Sequence, residues 1–395
     1  MNQFFASKST IDHFRNAVRE CLDELRQHLD QPNLLLIFFA GHDDDGALAE
    51  GLTEAVLAYP DAQIAGCHAV ATICNTEELE GTQSVVIWAA RFENCQPEVV
   101  HLQYQRTREG AAFAGFPNQL DRTSTSETGP QRTLIAFADP FTFPMDLFLD
   151  RINEEHAGMQ VVGGMASAAS SPGDSRLIVN RQIVNHGASF VILATRSPVA
   201  TVVSQGCRPI GEPMVVTKAE RNQIFEFGGR PAVDRFLEIY RQLPTSEQRV
   251  LQSGLHLGIA ISEYREKFGY GDFLIRNVLQ IDQNDGSVTV ADFVKIGQTV
   301  QFHLRDQASA DLDLRTLLKT SQSEWAPQSA AGGLIFSCNG RGLNMFEAPH
   351  HDAAAIQKFL GQIPVAGFFA AGEIGAVGQK NFIHGFTASI VWFGE

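Results

Sequence analysis

The residues best suited to chemistry crowd toward the C-terminal end of the chain. Cys338-Asn339-Gly340-Arg341-Gly342 sets a thiol, a carboxamide and a guanidinium among glycines, and Glu347, His350, His351 and Asp352 follow. A guanidinium on a glycine-flanked backbone suits two-point recognition of a carboxylate or phosphate. Its plainer role is a surface arginine in a loop. Further on, Gly372-Glu373-Ile374-Gly375 leads to Gly378, Asn381, His384, Gly385 and Thr387. A carboxylate, an amide, an imidazole and a hydroxyl within one hairpin can line a polar ligand site. They can equally hold a wide turn through their own hydrogen bonds. Earlier in the chain, Ser204-Gln205-Gly206-Cys207-Arg208-Pro209-Ile210-Gly211 is a polar, punctuated loop. Arg276-Asn277 lies within a predicted strand and Arg305-Asp306 just after one, where a buried arginine needs a partner. The candidate ligand contacts are therefore Arg276, Asn277, Cys338, Asn339, Arg341, Glu373, Asn381 and His384. In this scheme arginine holds a carboxylate, and Glu373 holds an ammonium group or orients Arg341.

Catalytic motifs are missing. The chain has no GxSxG elbow, no HExxH and no GxxxxGK[ST] loop. The pairs Gly163-Gly164 and Gly332-Gly333 lack the surroundings of a dinucleotide fingerprint. Adjacent His350 and His351 point apart in an extended chain and are poorly placed to share a metal, so no metal site is assigned. Asp352 is expected to cap the helix that follows. One enzymatic alternative stays open: a Cys338 thiolate activated by Arg341 and by His350 or His351.

The elements that must position these groups recur. A first unit runs from the strand Leu34–Ala40 through the loop Gly41-His42-Asp43-Asp44-Asp45. A helix follows with Leu48, Leu52, Ala55 and Val56 on one face, then Ile64-Ala65-Gly66-Cys67 and a closing strand over 84–90. A second unit repeats this plan: Leu134–Phe137, the loop Asp139–Pro144, a helix through Leu147, Phe148 and Ile152, Val161-Val162-Gly163-Gly164, and a strand over 188–194. A third unit has Leu334–Ser337, a loop from Cys338 to His351, a helix with Ala355, Ile356, Phe359 and Leu360, Val365-Ala366-Gly367-Phe368, and a strand over 386–393. Gly66, Gly163 and Gly367 are expected at small-residue turns, packed on a neighbour or walling a ligand. Between the second and third units the stretch from Ala200 to Leu304 is β-rich, with a hairpin turn at Asn284-Asp285-Gly286 and a helix over 232–243. Another helix follows over 311–318. The fold class is α/β in the broad sense of mixed α+β: repeated β-α-β-β units, an intervening β-rich region, and two modules, 1–231 and 232–395. Ahead of all this, Ile11, Phe14, Val18, Cys21, Leu22, Leu25 and Leu29 mark a helix capped by Ser9 or Thr10.

With 395 residues, 44% hydrophobic and 19% charged, the chain is ordinary for a globular protein of more than one core. Its 28 phenylalanines predict an aromatic core. A net charge of −15 repels phosphate backbones, so nucleic acid is excluded as a partner. Six scattered cysteines form no CxxC pair, which points to reduced thiols in a cytoplasm. Met1–Thr10 is polar and no apolar run reaches membrane-spanning length, so neither a signal peptide nor a membrane partner is expected.

Several of these stretches resemble the FIST family. They are Val203–Gly211, Phe273–Asn277, Phe302–Asp306, Phe336–Gly342, Ala366–Gly375 and Asn381–Ser389, in the family's order and over nearly the whole chain. The resemblance implies an N-terminal and a C-terminal FIST module and a role in intracellular signal transduction. It implies a small-molecule ligand such as an amino acid or other small carboxylate, and a signalling partner protein. Some members are similar in being haem-bearing nitric oxide sensors that regulate histidine kinases, which makes haem a possible cofactor with His68, His303 or His384 as axial ligand. The family's Gly-Cys-Ser-Ser/Thr-Ala-Gly-Glu run reads Gly66-Cys67-His68-Ala69-Val70-Ala71-Thr72 here, without its Gly-Glu, whereas Gly372-Glu373 keeps the pair.

Overall fold

A computed structural model describes residues 1–42, 44–107, 110–116, 131–264, 268, 271–325 and 329–395. Asp43 of the first expected loop lies outside these residues. The protein is mixed α+β, in two compact units: Met1–Val203 with Leu317–Glu395, and Ser204–Thr316.

The chain opens with β1 (Gln3–Ser9) and α1 (Phe14–His28). A first segment follows: β2 (Leu34–Ala40), α2 (Asp45–Ala58), β3 (Gln63–His68), the hairpin β4 (Thr72–Cys74) and β5 (Glu77–Leu79), and β6 (Ser84–Arg91). β7 (Glu98–Thr107) and β8 (Gly110–Ala114) lead to a second segment. It has β9 (Gln131–Ala138), α3 (Met145–Glu155), β10 (Gln160–Met165), the hairpin β11 (Leu177–Val179) and β12 (Gln182–Val184), and β13 (Ala188–Thr195). After β14 (Val199–Ser204) comes the other compact unit. Its elements are β15 (Cys207–Glu220), β16 (Gln223–Phe227), β17 (Arg230–Pro231), α4 (Ala232–Gln242), α5 (Thr245–Gly254), β18 (Leu255–Ala260), β19 (Phe273–Asp282), β20 (Ser287–Val290) and β21 (Thr299–Arg305). α6 (Gln307–Trp325) then leads to the third segment: β22 (Ala330–Cys338), α7 (His351–Leu360), β23 (Val365–Ala370), the hairpin β24 (Glu373–Val377) and β25 (Lys380–His384), and β26 (Ala388–Gly394).

The first unit holds three sheets, ordered β1-β6-β2-β3-β11-β12, β25-β24-β10-β9-β13-β7-β8 and β14-β26-β22-β23-β4-β5. Each is built on a parallel pair, β2 with β3, β9 with β10, or β22 with β23. Each is then completed by a hairpin from a different segment. β11–β12 of the second segment joins the first sheet, β24–β25 of the third joins the second, and β4–β5 of the first joins the third.

Strand alternation builds the cores. Leu34, Leu36 and Phe38 of β2 face one cluster, and Leu35, Ile37 and Phe39 face another that α1 and α2 cover. The first cluster draws on all three sheets and centres on Phe38, Phe137, Phe336 and Phe368. Phe38 and Phe137 lie 5.3 Å apart between ring centroids, and Phe38 and Phe368 lie 5.2 Å apart. α3 covers the outer face of the second sheet through Phe148, Leu149 and Ile152.

Gly66, Gly163 and Gly367 are not in turns. Each sits mid-strand beside the parallel partner, opposite Ile37, Ala136 and Ile335. A Cβ at these three positions would lie 1.9, 2.0 and 1.7 Å from the partner's carbonyl oxygen. Close packing of parallel strands therefore accounts for the glycines.

The N-terminal helix begins later than its spacing predicts. Residues 3–9 instead form an edge strand on β6, and Ser9 Oγ bonds the Glu20 side chain. Ile11 is exposed rather than buried. The β-rich unit forms one seven-stranded sheet, β15-β21-β18-β19-β20-β16-β17, and the expected turn at Asn284-Asp285-Gly286 joins β19 to β20. No helix among the described residues is long and apolar enough to cross a membrane.

Candidate functional site

The densest buried polar group stands at the end of β22. Strand β22 delivers Ser337 and Cys338, and the short 3-10 turn Gly342–Asn344 follows Arg341. Arg341 is fully buried, not a surface arginine. Its Nε donates to Asp352 Oδ2 and its Nη2 to Asp352 Oδ1, both at 2.7 Å. The guanidinium also lies 5.3 Å from the centre of the Phe346 ring, which stacks on His351. Ser337 Oγ donates to Asp352 Oδ2 at 2.7 Å, and His351 Nδ1 meets Oδ1 at 2.9 Å. Burial pushes the Asp352 carboxyl up, but the charge and hydrogen bonds of Arg341, aided by His351, outweigh it. They hold Asp352 below the usual carboxylate range.

Asp352 therefore does not cap α7. It lies inside the first turn, and His350 holds the N-cap in a left-handed conformation. The capping oxygen comes from the first segment: Glu78 Oε1 accepts from the backbone N–H of Asp352 (2.8 Å) and Ala353 (3.0 Å). His350 Nδ1 in turn accepts from the Glu78 backbone N–H at 3.0 Å. Burial, then the Asp352 charge, push the Glu78 carboxyl up to about 7. Sequence reasoning missed Glu78. Its signal was the pair of short strands around Asn75-Thr76, a residue type that favours tight hairpin turns.

Glu373 opens β24, across from His384 on β25 and Gly164 on β10. It is fully buried. Thr387 donates to Glu373 Oε2 from its backbone N–H (3.0 Å) and its hydroxyl (2.9 Å). Oε1 has no hydrogen-bond partner among the described residues. Burial raises this carboxyl to about 8, against the opposing pull of Thr387, the Cys338 thiol and Arg341. The register places Thr72 in the first segment where Glu373 stands in the third: Thr72 faces Phe368 beside Gly367, as Glu373 faces Gly164 beside Gly163. Thr72 Oγ1 pairs with Ser84 Oγ at 2.7 Å. The lost Gly-Glu of the first segment is thus replaced by a neutral hydroxyl pair.

Cys338, Arg341 and Glu373 come together in this cluster. Exposed Asn339 lies at its edge, with Oδ1 3.8 Å from Cys338 Sγ. Asn381 serves another purpose. Its Oδ1 accepts from Val161 N–H (2.8 Å), its Nδ2 donates to the Met159 carbonyl (2.8 Å), and its peptide bonds Asn153. His384 Nε2 bonds the Gly375 carbonyl at 3.1 Å. Arg276 and Asn277 belong to the other compact unit, where Arg276 Nε pairs with Asp292 at 2.6 Å and Asn277 is exposed on β19. In that unit the loop at Ser204 is tied down by Asp313, which accepts from Ser204 Oγ (2.8 Å) and Gly206 N–H (3.1 Å). Arg208 pairs with Glu247 and Asp306.

The three histidines proposed for haem are packed against protein. His303 lies against Phe273 and Gly258 with Nδ1 bonded to the Gln301 carbonyl, and burial lowers it to about 4. His68 stacks on Phe39, and His384 is bonded as above. His303 and His384 thus each have a ring nitrogen already bonded to a backbone carbonyl.

Comparison with known proteins places the chain. An uncharacterized protein of Mycobacterium tuberculosis is 39% identical over 386 residues, 98% of each chain. Another, of Mycobacterium bovis, is 38% identical over 97% of each. Among solved structures, a cyanuric acid hydrolase from A. caulinodans aligns over 99% of both chains at 8% identity, with a TM-score of 0.28, too slight a likeness to support any inference. The FIST N domain matches residues 33–230 and the FIST C domain residues 232–376. The chain belongs to the FIST family.

Proposed function

We propose that this chain is a cytoplasmic sensor in signal transduction that binds an amino acid or other small carboxylate bearing an amino group, and passes the signal to a partner protein. The observation that carries this reading is Glu373 Oε1, a buried carboxyl oxygen without a hydrogen-bond partner among the described residues, beside a guanidinium already fixed by Asp352. Burial keeps this carboxyl protonated through neutral pH, and a ligand ammonium group at Oε1 takes the place of that proton and pairs with the carboxylate. Asp352 occupies two of the Arg341 N–H groups, so Arg341 acts by holding the frame around Glu373 and Cys338. Six buried cysteines, none of them in a disulfide, support the cytoplasmic setting.

Calorimetry with an amino-acid panel tests this. Saturable binding by the wild type that Glu373→Gln abolishes is the expected result. No heat from any amino acid at about 1 mM, a concentration corresponding to only about −4 kcal/mol of binding, would sink it. A Soret band in purified or haem-reconstituted protein would replace it with the haem-bearing alternative.

A further inference from the structure

Each of the three hairpins exchanged between sheets of the first unit turns through two residues, the first at positive φ: Asn75 (54°), Asn180 (53°) and Gly378 (65°). In such a hairpin the pair flanking the turn is hydrogen-bonded, and the next residue turns its peptide groups away from the partner strand. That residue is Glu78 in β5, Ile183 in β12 and Asn381 in β25. The phase of β11 agrees: Asn180 N–H reaches the Ile64 carbonyl (2.6 Å) and the Arg176 carbonyl accepts from His68 N–H (2.9 Å), so even-numbered residues of β11 face β3.

Two of these outward peptides are covered by the helix of their own sheet. Glu78 N–H donates to His350 at the start of α7 (3.0 Å). Asn381 N–H donates to Asn153 Oδ1 of α3 (2.8 Å), and its carbonyl accepts from Asn153 Nδ2 (2.9 Å). Ile183 has no such partner among the described residues, although β12 is an edge strand with α2 as the helix of its sheet. Between α2 and the hairpin lies a cleft of about 750 Å³. Leu52 and Val56 of α2 and Ile183 and Val184 of β12 give it apolar walls. Arg181, at the turn, is exposed and has no ionic or hydrogen-bond partner among the described residues. Arg176 on the rim is held by Asp45 at 2.6 Å.

We propose that this cleft binds a small molecule carrying one amide and one carboxylate, the size of a dipeptide or an N-acylated amino acid. Its amide meets the Ile183 peptide as the Asn153 carboxamide meets Asn381. Its carboxylate pairs with Arg181, and its apolar side chain lies against Leu52 and Val56. The volume falls within the ~300–1,000 Å³ usual for small-molecule sites. The site shares no residue with the Glu373 cluster and stands independently of it.

Calorimetric titration of the full chain with N-acetyl-leucine and with glycyl-leucine decides the matter. Wild type should bind saturably. Arg181→Ala and Ile183→Pro should each weaken binding about tenfold, with the melting temperature unchanged. Proline is tolerated on an edge strand where the N–H is outside the ladder, and it deletes only the outward donor. Should the proline variant fail to fold, Arg181→Ala alone decides. N-acetyl-leucinamide, lacking the carboxylate, should bind without regard to Arg181→Ala, and Glu373→Gln should leave N-acetyl-leucine binding intact. The proposal is overturned if N-acetyl-leucine does not bind, if Arg181→Ala binds it as wild type does, or if Glu373→Gln abolishes its binding.

Discussion

Arg341 and Asp352 meet through a two-point contact, Nε to Oδ2 and Nη2 to Oδ1, both at 2.7 Å, with neither side chain more than 1% exposed. Removing one partner strands a buried charge, which typically costs about 3–5 kcal/mol. Arg341→Met should lose that much by urea denaturation. Arg341→Met combined with Asp352→Leu should recover a large part of it, because no charge is then left alone. A double variant as unstable as the single one would mean that the pair also holds the loop in a way charge does not explain.

Glu373 links stability to pH. Its carboxyl is raised to about 8 in the fold and titrates near 4.3 in an unfolded chain. The native state therefore binds the extra proton between those values. Stability from this group is fully present below about pH 4.3 and is lost as pH rises through about 8, with a slope of up to about 1.4 kcal/mol per pH unit. Glu78, raised to about 7, adds in the same direction. Glu373→Gln should flatten the stability–pH curve over this window, read by urea midpoints from pH 5 to 8.

Much of this arrangement was legible in the sequence. β2 falls where the apolar run Leu34–Ala40 predicts, and the recurring glycine after each second strand was visible as a pattern. Its cause was not, because the register that sets each glycine against a carbonyl of the strand before the helix is fixed by parallel packing and not by the local run of residues. The hairpins β4–β5 and β11–β12 escaped notice because three-residue strands carry too little periodicity to register. Glu78 was invisible as part of the site for the same reason. Arg341 was expected to be open to a ligand. Its partner Asp352 stands 11 residues further along, where the spacing before a helix suggests a cap.

The glycines give a steric test. Gly367→Ala and Gly163→Ala each drive a methyl group onto a carbonyl oxygen of the neighbouring strand, at 1.7 and 2.0 Å if nothing moves. Each should cost at least about 3 kcal/mol, the upper part of the usual range for overpacking. Gly378→Ala, with open space around it, should cost far less, about 1 kcal/mol from its positive φ. Thermal melts of the three variants compare them directly.

Asn153 and Asn381 lock α3 to β25 through both side chains and one peptide. Each alanine variant should lose about 1–3 kcal/mol by leaving buried polar groups unmatched. The double variant should lose less than the sum, and the shortfall in a double-mutant cycle measures the lock. Strict additivity would show that the two residues act separately.

The exchange of hairpins among the three sheets shapes how the chain can be made. Asn75 bonds Val365 across 290 residues, so the turn of β4–β5 leaves the ribosome long before the strand that receives it. At ~5–20 residues per second the wait is about 15–60 s. Throughout that interval the hairpin presents unpaired edges that invite the wrong neighbour. The third sheet closes only once β22, β23 and β26 have followed, and a nascent chain cut short before them carries an open seam.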